Sequence, residues 1–511
     1  MKELNQNDWN RHLRYPRTLF ALMTCAIFVL TSCRKASTCR LSGAGKEKPP
    51  NIIVLTVDTL RADHMALYGY HRDTMPAIEK LAKSAVVFDQ AVVSRGNTRA
   101  SYASMLTSLH HFHHGVYNNN WVLHENFTTL PEVLKKAGYH TAGFVSNFVL
   151  VGNLSGCDQG FDVYDDRVEE RELNRPNFER SAGGTLKAIL EWLQNEPPQP
   201  FFLFTNFIDP HGPYTPPKRF RDLYKTHKVK TLNRKQITSY QYVEDSLNYY
   251  DYVDRYDAEI AYVDQVLGEL IETLKSKNLW DNSLIIFLGD HGESLGEHNI
   301  FFEHQFNLFE ETVRVPLLVR LPAVRDGTEP VTPKRVSSLG SPMDLMPTIL
   351  DYLGITLKDK IDGRTLLPLL DGDKVTDRMM FHEFPDHCIP ASNPDSYAVR
   401  TATHKLIRIL TPKSGQTRAQ VVFDIIADPM EQRPIRYDQS VELHRTLAKE
   451  MDTMLKQVAE YEIPYELTYY DVPLGKRTEY VEQRKKEGPK RNIKTLTDEQ
   501  IERLRGLGYI K

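Results

Sequence analysis

The chain has 511 residues, 41% hydrophobic and 26% charged, a composition that supports buried cores and excludes a largely disordered polymer. Its formal net charge of -3 gives no overall basic footprint, which argues against nucleic acid as a partner and directs the search for function to a localised site. Its five cysteines form no C-x-x-C pair, so a cysteine-built structural metal centre is excluded as well.

In chain order, Arg11, Arg14 and Arg17 precede the apolar run TLFALMTCAIFVLTSC, which has the length of a secretory h-region and falls short of the ~20 residues of a spanning helix. The run ends in Leu30-Thr31-Ser32-Cys33, which resembles a bacterial lipobox. Residues 1–33 are therefore expected to direct export to the cell envelope and to end at a lipid-bearing Cys33, membrane contact being confined to that anchor; a cleaved signal peptide or an uncleaved signal anchor is the alternative. With Cys33 lipidated, Cys39, Cys157 and Cys388 remain, enough for one disulfide at most. Residues 34–50 (RKASTCRLSGAGKEKPP) are polar, basic and without periodicity, and read as a tether.

From Asn51 apolar β-branched runs alternate with helical patterns. IIVLTV (52–57) reads as a strand, TMPAIEKLAKSA as a helix, VVFDQAVV as a strand, then a helix from about 99, and TLPEVLKKAGY as a helix leading into the strand HTAGFVS. FFLFTNF (201–207) is a buried strand, Asp257 to Lys275 has helical apolar spacing, SLIIFLGD (283–290) is a further strand, and VRVPLLVRLP precedes the helix DLMPTILDYLG. This order predicts an α/β fold: a large, mostly parallel sheet flanked by helices over 51–374. The texture changes near 375, where YAVRTATHKLIRI reads as strands and ELHRTLAKEMDTMLKQVAEY as an amphipathic helix, predicting a smaller α+β subdomain over 375–511.

Parallel sheets collect chemistry at the carboxyl ends of their strands. Those ends carry Asp58 after IIVLTV, Asp209 and His211 after FFLFTNF, and Asp290 and His291 after SLIIFLG. Singly, each such Asp is as well explained by a helix cap or an Asx turn. Jointly, they point to a divalent-cation site, with hard oxygens suiting calcium or magnesium and imidazoles suiting manganese or zinc. In NTRASYASMLTS (97–108), Thr98 and Ser101 stand where a helix starts; each is either a cap or a nucleophile whose oxyanion the helix terminus stabilises.

With these residues in view, the chain resembles the sulfatase family of the alkaline phosphatase superfamily. The resemblance runs from Asn51 to the C-terminus through NIIVLTVDTLRADHMALYGY, ASYASMLTS, GYHTAGFVSN, FIDPHGPYTPP, FLGDHGESLGEH, ETVRVPLLVRLP, MDLMPTILDYLG and LRGLGYIK. It implies the family's alkaline phosphatase-like fold and an enzyme acting on sulfate or phosphorus esters. The family's C/S-x-P-S-R signature, whose first residue becomes formylglycine, is matched with Thr98 first, Ala100 for the proline, Ser101 retained and Tyr102 for the arginine. Threonine is not a substrate for that conversion. Other departures are Thr59 for a second metal aspartate, His291 for asparagine in the Asp-Asn pair, Ser146-Asn147 for a lysine motif and Glu303-His304 for a lysine near the sulfate.

These departures resemble the phosphodiesterase branches of the superfamily. The resemblance implies Asp58, Asp290 and His291 around a calcium, manganese or zinc ion, with Asp209 and His304 as further ligands. It also implies Thr98 as a nucleophile forming a covalent threonyl ester, His211 as proton donor to the leaving oxygen or as a third ligand of a second ion, and Asn147 as donor to a non-bridging oxygen. His110, His111, His113 and His114 are expected as loop residues at the cleft rim, segments 163–182 and 218–252 as cleft walls, and Tyr397 and Arg400 as reaching the cleft. The expected partner is a small-molecule, glycan or lipid ester. The alternatives are a phospho-group transferase acting on lipid or glycan, and a non-catalytic binding protein on the same scaffold.

Overall fold

A computed structural model describes residues 49–461 except 169–178, 239–240, 244–245, 305–306, 324–333, 374, 376, 385–395 and 411–415. The leader, nearly all of the tether, Cys33, Cys39 and Cys388 lie outside the described residues; Cys157 is buried and forms no disulfide among the described residues. No helix among the described residues is long and apolar enough to cross a membrane.

The strands are β1 (Asn51–Val57), β2 (Val86–Phe88), β3 (His140–Phe144), β4 (Val163–Asp165), β5 (Phe201–Phe207), β6 (Ser283–Gly289), β7 (Ser294–Leu295), β8 (Phe301–Glu303), β9 (Leu317–Arg320) and β10 (Lys334–Val336). After them come β11 (Met380–Phe384), β12 (Ser396–Arg400), β13 (His404–Leu410), β14 (Thr417–Asp424) and β15 (Ile435–Arg436). Eight of them form one sheet in the order β10-β2-β9-β6-β1-β5-β3-β4. β1 pairs in parallel with β5 and β6, and β3 with β5 and β4; β9 alone runs against its neighbours β6 and β2.

The continuous apolar character of β1 follows from its place at the centre. Ile52 and Val54 join one core, with the helices Thr98–Thr107, Leu130–Lys136 and Leu345–Tyr352. Ile53, Leu55 and Val57 join the opposite core, with the helices Pro76–Ala82, Ala182–Gln194 and Tyr249–Ser276. Alternate side chains point to opposite faces, and both faces are covered. Each such side chain contributes ~1.5–3 kcal/mol relative to exposure. VVFDQAVV is a strand only to Phe88; beyond it Ala91 and Val92 make single bridges to Gly340 and Arg314.

β11 to β15 form a separate antiparallel meander in chain order. The helix Glu442–Glu460 covers it, with Leu447, Ala448 and Met451 against Val399, Leu406 and Val422. The hairpin end joining β12 and β13 is held by ions. Arg400 grips Glu310 through two bonds of 2.8 Å, and Lys405 Nζ lies 2.9 Å from both Glu310 and Glu431. Arg400 is thus committed to this buried cluster, and Tyr397 stacks on Phe381 inside the small core; both serve subdomain packing instead of the expected cleft.

Candidate active site

Four adjacent strands, β6-β1-β5-β3, end along one edge of the sheet, and each delivers polar residues there. The backbone ladder continues one step past the strands: Asp58 N donates to Phe207 O, and Asp290 N to Val57 O. Sheet register therefore sets where the two carboxylates lie. Asp58, Asp290 and His291 are fully buried and each offers a ligand atom within 4.8 Å of the others. His291 Nε2 lies 3.7 Å from Asp58 Oδ1 and 3.5 Å from Asp290 Oδ2. His291 Nδ1 donates to Gly292 O at 2.9 Å, which leaves the Nε2 lone pair facing the carboxylates.

The electrostatics of this group fit a divalent cation. Burial, and then Asp290, push the Asp58 carboxyl well above the usual range, and burial does the same to Asp290 although the Thr59 and His291 amides donate to it. Asp58 Oδ1 and Asp290 Oδ2 are buried without a hydrogen-bond partner. Two buried carboxylates this close are costly unless a counter-charge meets them, and an imidazole lone pair aimed at the same point completes a mixed oxygen and nitrogen ligand set.

Thr98 is the first residue of its helix; Asn97 occupies the cap position. Thr98 Oγ1 lies 3.2 Å from His291 Nε2, at the positive end of the helix and beside the carboxylates. Ser101 is one turn on, where its Oγ donates to Asp290 O at 2.7 Å and ties the helix to the Asp290-His291 turn. Neither hydroxyl caps the helix. Arg99, fully buried, is occupied by Val149 O and Trp121 O, and the Tyr102 hydroxyl bridges Thr56 Oγ1 and Asn206 Nδ2 within the sheet.

Gly292 is required by proximity: a Cβ there would stand 2.1 Å from Glu311 O. Asn147 reaches the site, but its Nδ2 donates to Asp58 Oδ2 at 2.7 Å while its Oδ1 accepts from Val149 N. Its observed contact is therefore with the carboxylate. Thr59 has a positive φ of 53° and is fully buried; its amide donates to Asp290 Oδ1, and its carbonyl accepts from the Tyr256 hydroxyl at 2.6 Å.

Asp209 and His304 stand outside the cation group. Asp209 Oδ2 accepts from Ala182 N at 2.8 Å, because the helix beginning there presents an N–H that competes for the carboxylate. His304 stacks on His291 at 4.4 Å and lies 5.4 Å from the His211 ring. Its Nδ1 is 3.2 Å from Glu293 Oε1, and burial, with His291 nearby, holds its pKa well below the ordinary value. Glu293 also accepts from the Tyr214 hydroxyl, and burial raises its pKa to about 8. Glu293 was not singled out from the sequence; its signal was a second acid in the GDHGES turn after β6. His211 Nδ1 donates to Gly212 O at 2.8 Å, which directs Nε2 away from that carbonyl.

The histidine cluster departs from expectation. His111–His114 form a single helical turn in which His111 and His114 are fully buried, not rim loops. His111 Nε2 lies 2.6 Å from Glu383 of the small sheet, His113 meets Asp362, and His114 meets Ser104. They pack the helix Thr98–Thr107 against the subdomain. Parts of the expected cleft walls, at 169–178, 239–240 and 244–245, lie outside the described residues.

The sulfatase family profile matches residues 50–355, and the profile of the N-sulphoglucosamine sulphohydrolase C-terminal region matches 296–460. A choline-sulfatase of Rhizobium meliloti is 26% identical over 75% of this chain and 81% of its own length. A multifunctional alkaline phosphatase superfamily protein of Trinickia caryophylli is 23% identical over 75% of this chain and 90% of its own. The crystal structure of a phosphonate monoester hydrolase of Agrobacterium radiobacter superposes with a TM-score of 0.65 at 19% identity, covering 80% of this chain and 96% of that one. Together with the α/β sheet and the separate C-terminal meander, these matches place the chain in the sulfatase family of ester hydrolases.

Proposed function

We propose that this sulfatase-family protein is a metal-dependent hydrolase of sulfate, phosphate or phosphonate esters that works through a covalent Thr98 ester, with phosphorus esters the better fit. The observation that carries the reading is Thr98 Oγ1 at 3.2 Å from His291 Nε2, at a helix N-terminus and beside two buried carboxylates. Thr98 occupies the place where the family's signature begins with formylglycine. Asp58, Asp290 and His291 would hold the cation, which when bound supplies Lewis acidity that favours the Thr98 alkoxide and the charge developing on the ester.

In the first step the Oγ1–P or Oγ1–S bond forms as the bond to the leaving oxygen breaks, and protonated His211 gives its Nε2 proton to that oxygen. Asn147 and Ser101 act by orientation: the first holds Asp58, the second holds the Asp290 turn against the helix. Water then attacks the same centre, the bond to Oγ1 breaks, and neutral His211 takes the water's proton, restoring the starting state. A threonyl ester lacks the second hydroxyl through which hydrated formylglycine expels sulfate by C–O cleavage. Its resolution must occur at sulfur or phosphorus, a requirement that favours phosphorus esters, the class named for the similar phosphonate monoester hydrolase. The lipobox-like leader and the tether further support an envelope enzyme anchored through Cys33.

The test is turnover of matched aryl sulfate, phosphate monoester, phosphodiester and phosphonate monoester substrates by chelator-stripped protein with calcium, manganese or zinc restored. Phosphorus-ester turnover is expected only with metal, and Thr98→Ala should lower it by on the order of 10³-fold or more. Sulfate turnover that survives Thr98→Ala would remove Thr98 from the chemistry.

A further inference from the structure

The loop 94–97 (SRGN) leads directly into Thr98 and is buried throughout. It is held between the active site and the small sheet: a Cβ on Gly96 would stand 2.8 Å from His304 O, and Val93 O accepts from His382 Nδ1 at 2.8 Å. Arg95, between these two contacts, is 4% exposed. Its Nη1 donates to Glu383 O at 3.2 Å, and its guanidinium carbon lies 5.3 Å from the centre of the Phe384 ring. One carbonyl and one ring leave most of a guanidinium's N–H donors unused.

Among the described residues no carboxylate pairs with Arg95. Glu383, whose carbonyl it touches, sends its own carboxylate to His111 Nε2 at 2.6 Å, from the face of β11 opposite Phe384. The other buried arginines are matched. Arg61, Arg180, Arg255, Arg320, Arg400 and Arg408 each have a carboxylate oxygen no more than 3.7 Å away, and Arg99 is held by the Val149 and Trp121 carbonyls. Taking a permanent charge out of water without a counter-charge is costly, so an arginine left in this state is explained by an anion that a ligand brings. A second polar group in the same loop is also short of a partner. Asn97 is buried, its side chain does not cap the helix, and its Oδ1 has no hydrogen bond. Thr98 Oγ1 faces His291 while the Arg95 guanidinium faces β11, so the two would meet different parts of one ligand.

We propose that Arg95 is a specificity-determining residue that holds a second oxyanion of the substrate, a carboxylate or a sulfuryl group, beside the ester that reacts at Thr98. The planar fork of a guanidinium matches such a group through two parallel N–H bonds, and the Phe384 ring beneath it keeps the fork oriented. The inference rests on the reading of Thr98 as the site of ester chemistry, but the selection it describes acts on binding and can be measured without turnover.

The test uses nitrophenyl esters of phenylphosphonic acids that carry a carboxylate, a sulfonate or a neutral carboxamide at the meta or para position, with the full chain. Wild type should favour at least one of the anions over the carboxamide by about tenfold or more in kcat/KM, chiefly through KM, and the anion that gains more identifies the group. Arg95→Met, which keeps an apolar stem over Phe384, should bring that ratio close to one. Arg95→Lys, which keeps the charge without the fork, should retain part of it. Titration calorimetry of Thr98→Ala with the free phosphonic acids makes the same comparison without turnover, and there too Arg95→Met should remove the preference for the charged ligand. Wild type indifferent to both anions at both positions, or a preference that survives Arg95→Met, overturns the proposal. Equal slowing of charged and neutral esters in Arg95→Met also overturns it, because Arg95 would then serve the ester itself or the fold. Absence of turnover on every ester, with the binding preference present in Thr98→Ala and lost with Arg95→Met, would count against the Thr98 chemistry and leave the role of Arg95 standing.

Discussion

Asn147 offers the sharpest test of how the cation group is built. Its Nδ2 donates to Asp58 Oδ2 at 2.7 Å, and both residues are fully buried, so Asn147→Ala leaves a carboxylate oxygen with neither protein donor nor solvent. A hydrogen bond to a charged buried acceptor contributes ~1.5–3 kcal/mol. Converted at ~1.4 kcal/mol per decade, that is a ~10–100-fold loss of cation affinity, the range expected when a partner of a metal ligand is removed. The sign with pH comes from the carboxyl itself. Burial and Asp290 raise the Asp58 pKa while Asn147 lowers it, so losing the amide raises it further and lets protons compete with the cation. The deficit should be largest near neutrality and shrink at pH 9. Titration calorimetry of chelator-stripped protein with manganese at pH 7 and pH 9 measures both. Affinity within twofold of wild type at pH 7, or a deficit that grows with pH, would refute the reasoning.

Three further outcomes concern contacts away from the cation group. Lys405→Met leaves the buried Glu431 carboxylate without its cation, while Glu310 keeps Arg400, and should cost ~3–5 kcal/mol in urea unfolding, part of which Lys405→Met/Glu431→Gln recovers; a double variant no more stable than the single would contradict this. Tyr102→Phe removes the hydroxyl shared by Thr56 and Asn206 and should cost ~1–3 kcal/mol of stability, with kcat/KM changed by only a few-fold, because that hydroxyl lies on the sheet and not on Thr98. Burial raises the Asp264 pKa to about 7 although Ala77 N and Ile78 N donate to it. A raised folded pKa means stability present below the unfolded value of ~4 and lost as pH rises through about 7, so Asp264→Asn should flatten the fall in urea midpoint across that window.

How much of this was legible beforehand depends on whether a feature is local. The alternation of β1 between two cores, the helix starting at Thr98 and the antiparallel meander around YAVRTATHKLIRI are patterns of spacing, and spacing is visible in one dimension. Asp58 and Asp290-His291 were legible for a related reason: an apolar parallel strand must end at the sheet's edge, and the residues next in the chain are held there. Asp209 shares that position, yet the N-terminus of Ala182–Gln194 takes its carboxylate, a competitor 27 residues away in the chain.

The sequence by itself determined the strand and helix periods, the identity of the residues at each strand end and the family. Only the tertiary structure decided which of those ends meet, because the order β6-β1-β5-β3 arises from crossovers that no local pattern encodes. Asn147 reaches Asp58 across 89 positions, and the hairpin of β7 and β8 brings His304 back to Glu293. In the same way Arg400 spends its charge on Glu310, and three of the four histidines expected at the cleft rim, His110, His111 and His114, are buried, because burial forces each polar group onto whatever partner folding puts within reach.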